Sequence, residues 1–251
     1  MKNKSGRRDI VKGIGCLLIA LGLGVSAVGM HSARSETFLR SRVVKLMGNG
    51  YICSGEQVHT AFGTDYILSA GHCDELAIDG SIEVHSEDGR VMERRVIAED
   101  AKSDLLLIEG IPNMEGIPIA KHQSIGDHVR TFTHGNGFRT YKSEGELIDN
   151  NKVEAILFPI MPGDPETDKL TAKCKAMPKN SLVSIDTFFG KVSVCVLSVD
   201  EVVTTAFMVP GSSGGMVVND SGELTGVVSA GGDGFGYLVR LSDIQDFLAN
   251  Y

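Results

Sequence analysis

The sequence contains no tryptophan, no internal repeat and no long low-complexity tract. It shows no helical periodicity until its last eleven residues. Basic residues are in deficit, with Lys and Arg numbering 24 against 32 acids for a formal net charge of −8. That balance excludes a nucleic-acid binder, which would carry a basic surface. No C-x-x-C or H-x-x-x-H pair occurs, so the usual zinc spacings are missing as well. What is present is 42% apolar residues and 30 glycines in 251 positions, the make-up of a globular, turn-rich chain. Its length fits one large β domain or two small ones.

Residues 1–33 stand apart. Lys2, Lys4, Arg7, Arg8 and Lys12 give a basic start, and an apolar run follows from Gly13 to about Met30. This is the layout of a signal peptide. The run is also long enough for an uncleaved anchor, although Gly13, Gly15, Gly22 and Gly24 weaken a spanning helix. Ala27-Val28-Gly29 and His31-Ser32-Ala33 both read as cleavage sites. Arg7-Arg8-Asp9-Ile10-Val11-Lys12 resembles a twin-arginine export signal, and equally an ordinary basic n-region. Beyond the leader lie four cysteines, Cys53, Cys73, Cys174 and Cys195, an even number that suits disulfides in an exported chain. The local pairings are Cys53 with Cys73 and Cys174 with Cys195. Each would close a loop of about twenty residues and contribute on the order of 3 kcal/mol by the loop-entropy account.

Short apolar or alternating runs fill the first half. Strands are predicted at Arg42–Met47, Tyr51–Thr60, Tyr66–Ser69, Ser81–Ser86, Val91–Ala98 and Asp104–Ile108, with a hairpin turn at Asp88-Gly89. Six strands with no helix between them indicate a barrel or a sandwich. Residues 112–127 read as a connector. A second β series follows, at Val129–Thr133, Glu146–Ile160, Leu182–Phe189, Val192–Ser198, Glu201–Val209, Gly215–Val218, Leu224–Ser229 and Gly236–Leu241. Residues 161–181 read as an inserted exposed loop. The expected domains are thus 34–120 and 121–251. Ile244, Phe247, Leu248 and Tyr251 recur at helical spacing, so a short helix is predicted over 242–251, with Ser242 and Gln245 as a capping box.

The chemistry centres on Pro210-Gly211-Ser212-Ser213-Gly214-Gly215. Glycines crowd a serine there, and glycine permits backbone that other residues resist. Such a turn can expose a hydroxyl and gather N–H groups at one point, as an acyl-transfer nucleophile requires. A base and an orienting acid must then be found. Of seven histidines, His31, His59, His85, His122, His128 and His134 fall in the leader, on polar strands or in turns. His72 instead follows a buried run and precedes a cysteine. Asp104 opens the apolar run Leu105-Leu106-Leu107-Ile108, where a carboxylate is costly unless it is hydrogen-bonded.

Ser69-Ala70-Gly71-His72-Cys73, Asp104-Leu105-Leu106-Leu107-Ile108 and Gly211-Ser212-Ser213-Gly214-Gly215 resemble the three signature segments of the chymotrypsin-like serine peptidases, in that family's order. Gly126–Gly135 and Pro210–Gly226 are similar to the HtrA and glutamyl-endopeptidase branches. The resemblance implies an all-β fold of two six-stranded Greek-key barrels with a short C-terminal helix. It implies a triad of His72, Asp104 and Ser213, an oxyanion hole from the N–H groups of Gly211 and Ser213, and a Cys53–Cys73 disulfide. Ser213 rather than Ser212 is selected because the family's reactive serine directly precedes Gly-Gly. Ser229-Ala230-Gly231 resembles the strand that pairs with substrate. The trypsin-like position six residues before the serine holds Phe207 and not an acid, so basic specificity is not expected. Phe207, Met208 and Gly231 suggest an apolar pocket for small or medium aliphatic side chains, and Asp233 would change that by turning inward. Ser212 occupies the place of the acid that a freed N-terminus engages, so activation by a new N-terminus is not expected. No PDZ domain is expected after Ser213. The implied activity is peptide-bond hydrolysis on protein or peptide substrates. It needs no metal and no cofactor, and involves a membrane only through an uncleaved leader. The alternative is a catalytically silent binding protein on the same fold.

Overall fold

A computed structural model describes residues 36–137, 139–149, 152–160, 171, 180–187, 190–232 and 234–251, with the backbone alone for 152–160, 180–187 and most of 190–200. The chain divides into Met1–Leu39 and Arg40–Tyr251. Of the first unit the described residues, 36–39, are helical. All the strands belong to the second unit.

Six antiparallel strands close the first barrel: β1 (Val43–Gly48), β2 (Tyr51–His59), β3 (Asp65–Ala70), β4 (Ser81–Ser86), β5 (Val91–Asp100) and β6 (Leu105–Glu109), in the order β1-β2-β3-β6-β5-β4. Alternation puts Val44, Leu46, Cys53, Ile67, Ile82, Val84, Leu106 and Ile108 in its interior. β6 is apolar without alternation because its second face is covered too: Leu105 and Leu107 are as buried as Leu106 and Ile108.

The second barrel is built from β7 (His128–Thr133), β8 (Tyr141–Asp149), the end of β11 (Gly190–Thr204), β12 (Met216–Val218), β13 (Leu224–Gly232) and β14 (Phe235–Val239). Pairing of Val203 with Asp149 and of Thr204 with Leu147 closes it. Val129, Leu147, Val202, Val217, Val228 and Leu238 fill its core. The link between the barrels is stitched to both, through bridges Val58–Ile117 and Ile119–Leu224.

Several strand expectations are corrected. The run Glu146–Ile160 is two strands, β8 and β9 (Lys152–Ile160), separated in the sequence by residues 150–151, which lie outside the described residues. Val192–Ser198 and Glu201–Val209 are not separate: β11 runs unbroken over 15 residues and ends at Thr204. Its first part pairs with β9 on one side and β10 (Asn180–Thr187) on the other, forming a three-stranded arm, and only Glu201–Thr204 joins the barrel. β10 begins inside the segment expected to be loop, and the rest of 161–181 lies outside the described residues apart from Thr171. So do the leader and Phe189. The helix, α1 (Leu241–Leu248), starts one residue early with Arg240 at its N-cap and no side-chain capping bond. Ser242 is therefore inside the first turn. Gln245 donates to the carbonyl of Ala120 at 2.8 Å instead of closing a capping box. Ile244 and Leu248 are buried as their spacing predicts, and Tyr251 meets Tyr66 of the first barrel edge-to-face at 6.2 Å.

Candidate active site

His72 stands where β3 runs out. β3 ends at Ala70, and Gly71–Leu76 form a 3₁₀ turn directly after it. Gly71 has to be glycine because a Cβ there would lie 2.9 Å from the Leu105 nitrogen and 3.0 Å from the Asp104 backbone. Its absence lets the His72 turn press against the start of β6. Cys73 bonds to Cys53 of β2, as the resemblance implied. Those two sulfurs lie with a His72 nitrogen within 4.8 Å of one another. Joined to each other, they offer a metal no thiolate. Cys174 and the side chain of Cys195 lie outside the described residues, and with them that pairing.

Asp104 was expected to open β6. The strand instead begins at Leu105, and Asp104 has φ 55°, a left-handed conformation that Asp tolerates better than most residues. This turn carries the carboxylate back to His72. His72 Nδ1 lies 3.0 Å from Oδ1 and 3.2 Å from Oδ2, and the His72 backbone N–H donates to Oδ1 at 2.9 Å. A third donor was not anticipated: the Ser229 hydroxyl reaches Oδ2 at 2.7 Å. Asp104 is thus largely buried and fully solvated by protein, while the His72 ring is half exposed. Burial works against the Asp104 carboxylate, but the hydrogen bond and charge of His72, then the bonds from Ser229 and the His72 backbone, outweigh it and lower its pKa. Burial likewise works against a charged His72. The Asp104 bond and charge, with the charges of Glu75 and Glu201, outweigh it and raise the imidazole above its ordinary value. Glu201, buried on β11, was not singled out in the sequence.

The serine loop is held by carbonyls turned outward. Pro210 C=O accepts from Asn136 N–H at 2.6 Å, Ser212 C=O from Gly215 N–H at 2.9 Å, and Ser213 C=O from Ser54 N–H at 2.8 Å. A trans peptide points its N–H opposite to its carbonyl. The N–H groups of Gly211 and Ser213 therefore face the other way, and neither has an acceptor among the described residues. Gly211 at φ 86° and Gly214 at φ 77° need the freedom of glycine. The two serines differ sharply. Ser212 is 2% exposed, with its hydroxyl 3.1 Å from that of Thr133 and accepting the Val209 N–H at 3.2 Å. Ser213 is partly exposed and donates to the Ser229 carbonyl at 3.3 Å. No hydrogen bond joins Ser213 Oγ to His72 among the described residues, so the third link expected of a triad is not formed in this rotamer.

Ser229 thus touches both Asp104 and Ser213. Beyond it Ala230, Gly231 and Gly232 pair with β14 on one side. The pairing of β12 with β13 stops at Val227 and Val228 bonds to Gly214 and Gly215, so among the described residues that edge has no backbone partner beyond Val228. Phe207 is half exposed, off any strand, with its N–H on the Ser143 hydroxyl. Met208 is buried across Gly231 and Gly236: a Cβ on Gly231 would stand 2.5 Å from Met208 Cβ, and one on Gly236 2.7 Å from Met208 Cε. Asp233 lies outside the described residues.

Two barrels with a His–Asp pair on one and a glycine-framed serine on the other define a class. The fold is that of the chymotrypsin-like serine proteases. Among solved structures the chain is similar to the active form of the Rv3671c protease of M. tuberculosis, with TM-score 0.60 and 16% identity over 86% of this chain and 82% of that one. The inactive form of the same protease matches with TM-score 0.59 and 16% identity, over 86% of this chain and 91% of that one. A serine endoprotease from Yersinia pestis matches with TM-score 0.59 and 17% identity, over 87% of this chain and 65% of that one. No protein-family model and no curated protein matches the chain.

Proposed function

We propose that this chain is a serine endopeptidase, exported from the cytoplasm, that hydrolyses protein or peptide substrates through an acyl-enzyme. The observation carrying the reading is the convergence of three things at one edge of β13. They are a hydrogen-bonded His72–Asp104 pair, a partly exposed serine, and two backbone N–H groups without acceptors among the described residues. Export rests on the leader-like residues 1–33 and on the Cys53–Cys73 disulfide.

Substrate lies extended along Ser229–Gly231, adding a strand to the open edge of β13. Ser213 turns about χ1 from the Ser229 carbonyl to His72 and attacks the scissile carbonyl carbon. The Ser213 proton passes to the free nitrogen of His72, whose other nitrogen stays on Asp104. Negative charge on the carbonyl oxygen is met by the N–H groups of Gly211 and Ser213. His72 then gives its proton to the leaving amine, and the C–N bond breaks. Water repeats the sequence on the ester and restores Ser213. The raised pKa of His72 suits a base that must hold a proton between two steps. Met208, packed against Gly231 and Gly236, would contribute to an apolar pocket for small or medium aliphatic side chains before the cleaved bond. Ser212 keeps the loop in place with an uncharged hydroxyl, so no new N-terminus is required to switch the enzyme on.

The test is cleavage of a mixed peptide library by the folded protein, with Ser213→Ala and His72→Ala alongside. Cleavage after small or medium aliphatic residues that disappears in both variants is expected. A folded wild-type protein that cuts nothing overturns the reading.

A further inference from the structure

Ser54 follows the disulfide cysteine Cys53 on β2 and is completely buried. Its hydroxyl has two partners, both in the second barrel. It donates to the Gly211 carbonyl at 2.8 Å and accepts the His134 backbone N–H at 2.8 Å. The Ser54 N–H meanwhile holds the Ser213 carbonyl at 2.8 Å. One residue of the first barrel thus grips the carbonyls of the two residues whose N–H groups are left open.

The grip on Gly211 works from two sides. The Gly211 N–H shares a rigid, planar peptide with the Pro210 carbonyl, which Asn136 N–H holds at 2.6 Å. Asn136 sits at φ 56° in a tight turn that follows His134, the residue tied to Ser54 Oγ. Ser54 therefore fixes the Gly211–Ser212 peptide directly, and supports the Pro210–Gly211 peptide through the turn at His134–Asn136.

We propose that Ser54 is the positioning residue of the oxyanion loop: its hydroxyl clamps the loop between the barrels so that the Gly211 and Ser213 N–H groups converge. This rests on the peptidase reading. Replacing the hydroxyl by hydrogen leaves Gly211 C=O without its donor from the first barrel, so the peptide gains freedom to rotate. Deleting an oxyanion donor costs ~10²–10³ in rate. Letting one drift costs part of that, roughly 10–100-fold.

The readout is the rate of phosphonylation by a fluorophosphonate, whose phosphoryl oxygen occupies the same N–H pair, measured per folded molecule. Ser54→Ala and Ser54→Gly should both react roughly 10–100-fold more slowly, with peptide KM changed less than about threefold. Ser54→Thr, which keeps the hydroxyl, should recover most of the rate. Gln57→Leu supplies the structural control. Gln57 is also buried on β2 and bonds Ile111 and Met114 within the first barrel, so its loss should lower stability but not the rate. Ser54→Ala reacting at the wild-type rate overturns the inference alone, as does equal slowing in Gln57→Leu. A folded wild type that never reacts overturns the peptidase reading and this inference with it.

Discussion

Gly214→Ala is the perturbation whose cost can be worked most directly from the structure. Gly214 has φ 77°, and a methyl group there would overlap the Ser69 hydroxyl and the Ser54 carbonyl and crowd the Ala70 nitrogen at 2.9 Å. Left-handed backbone costs an alanine ~1–2 kcal/mol, and forcing a methyl into a filled site adds ~1–3 kcal/mol. The less flexible unfolded chain returns only ~0.4–1 kcal/mol. Relief by movement is restricted, because Gly214 N–H is bonded to Val228 C=O at 2.7 Å and two of the crowding atoms are backbone. The net loss is about 1–5 kcal/mol, or a fall in Tm of roughly 2–18 °C for a domain of this size. Urea and thermal unfolding of the folded protein measure it. The overlap also lies between the serine loop and the His72-bearing strand, so fluorophosphonate reactivity should fall with stability. A Gly214→Ala protein within about 0.5 kcal/mol of wild type would refute the claim that the two barrels meet in direct contact at this residue.

The same contacts lead to other outcomes. Glu56 is fully buried on β2, its carboxyl oxygens have no hydrogen-bond partner among the described residues, and burial pushes its pKa well above the ordinary value. Its neutral form therefore stabilises the fold fully below the ordinary glutamate pKa, and that contribution is lost as pH rises through the folded value. In that window wild-type stability should fall by up to about 1.4 kcal/mol per pH unit relative to Glu56→Gln; parallel stability profiles for the two proteins would sink this reading. Asp104→Asn presents an amide where His72 needs an acceptor. kcat/KM should drop roughly 10²–10⁴-fold, and the acid limb of the pH profile should move down, since Asp104 is what raises His72. An unmoved limb would show that Asp104 does not set the titration of His72.

The parts of this molecule legible in the sequence are those where one residue type is forced by local geometry. The apolar run Leu105–Ile108 reads as a buried strand, and the structure buries it on both faces. The three motifs single out His72, Asp104 and Ser213, each of which sits at a strand end or tight turn. Contacts made by ordinary residues across long separations were not legible. Ser229 is 125 positions from Asp104 and Ser54 is 157 from Gly211, and a serine in a strand looks the same with or without such a partner. The merging of two expected strands into β11 was hidden for a related reason. Asp200-Glu201 reads as a polar break, yet Asp200 pairs with Lys152 of β9 and Glu201 with Val239 of β14, so the ladder crosses it unbroken. The capping box failed because α1 begins at Leu241 and Gln245 is taken by Ala120.

The most direct test is to treat the folded protein with a fluorophosphonate and map the adduct by peptide mass spectrometry. A single phosphonyl group on Ser213, absent from Ser213→Ala and much slower to form in His72→Ala, is the predicted result. Labelling of Ser212, or none on folded protein, would contradict the assignment of Ser213 as a nucleophile activated by His72.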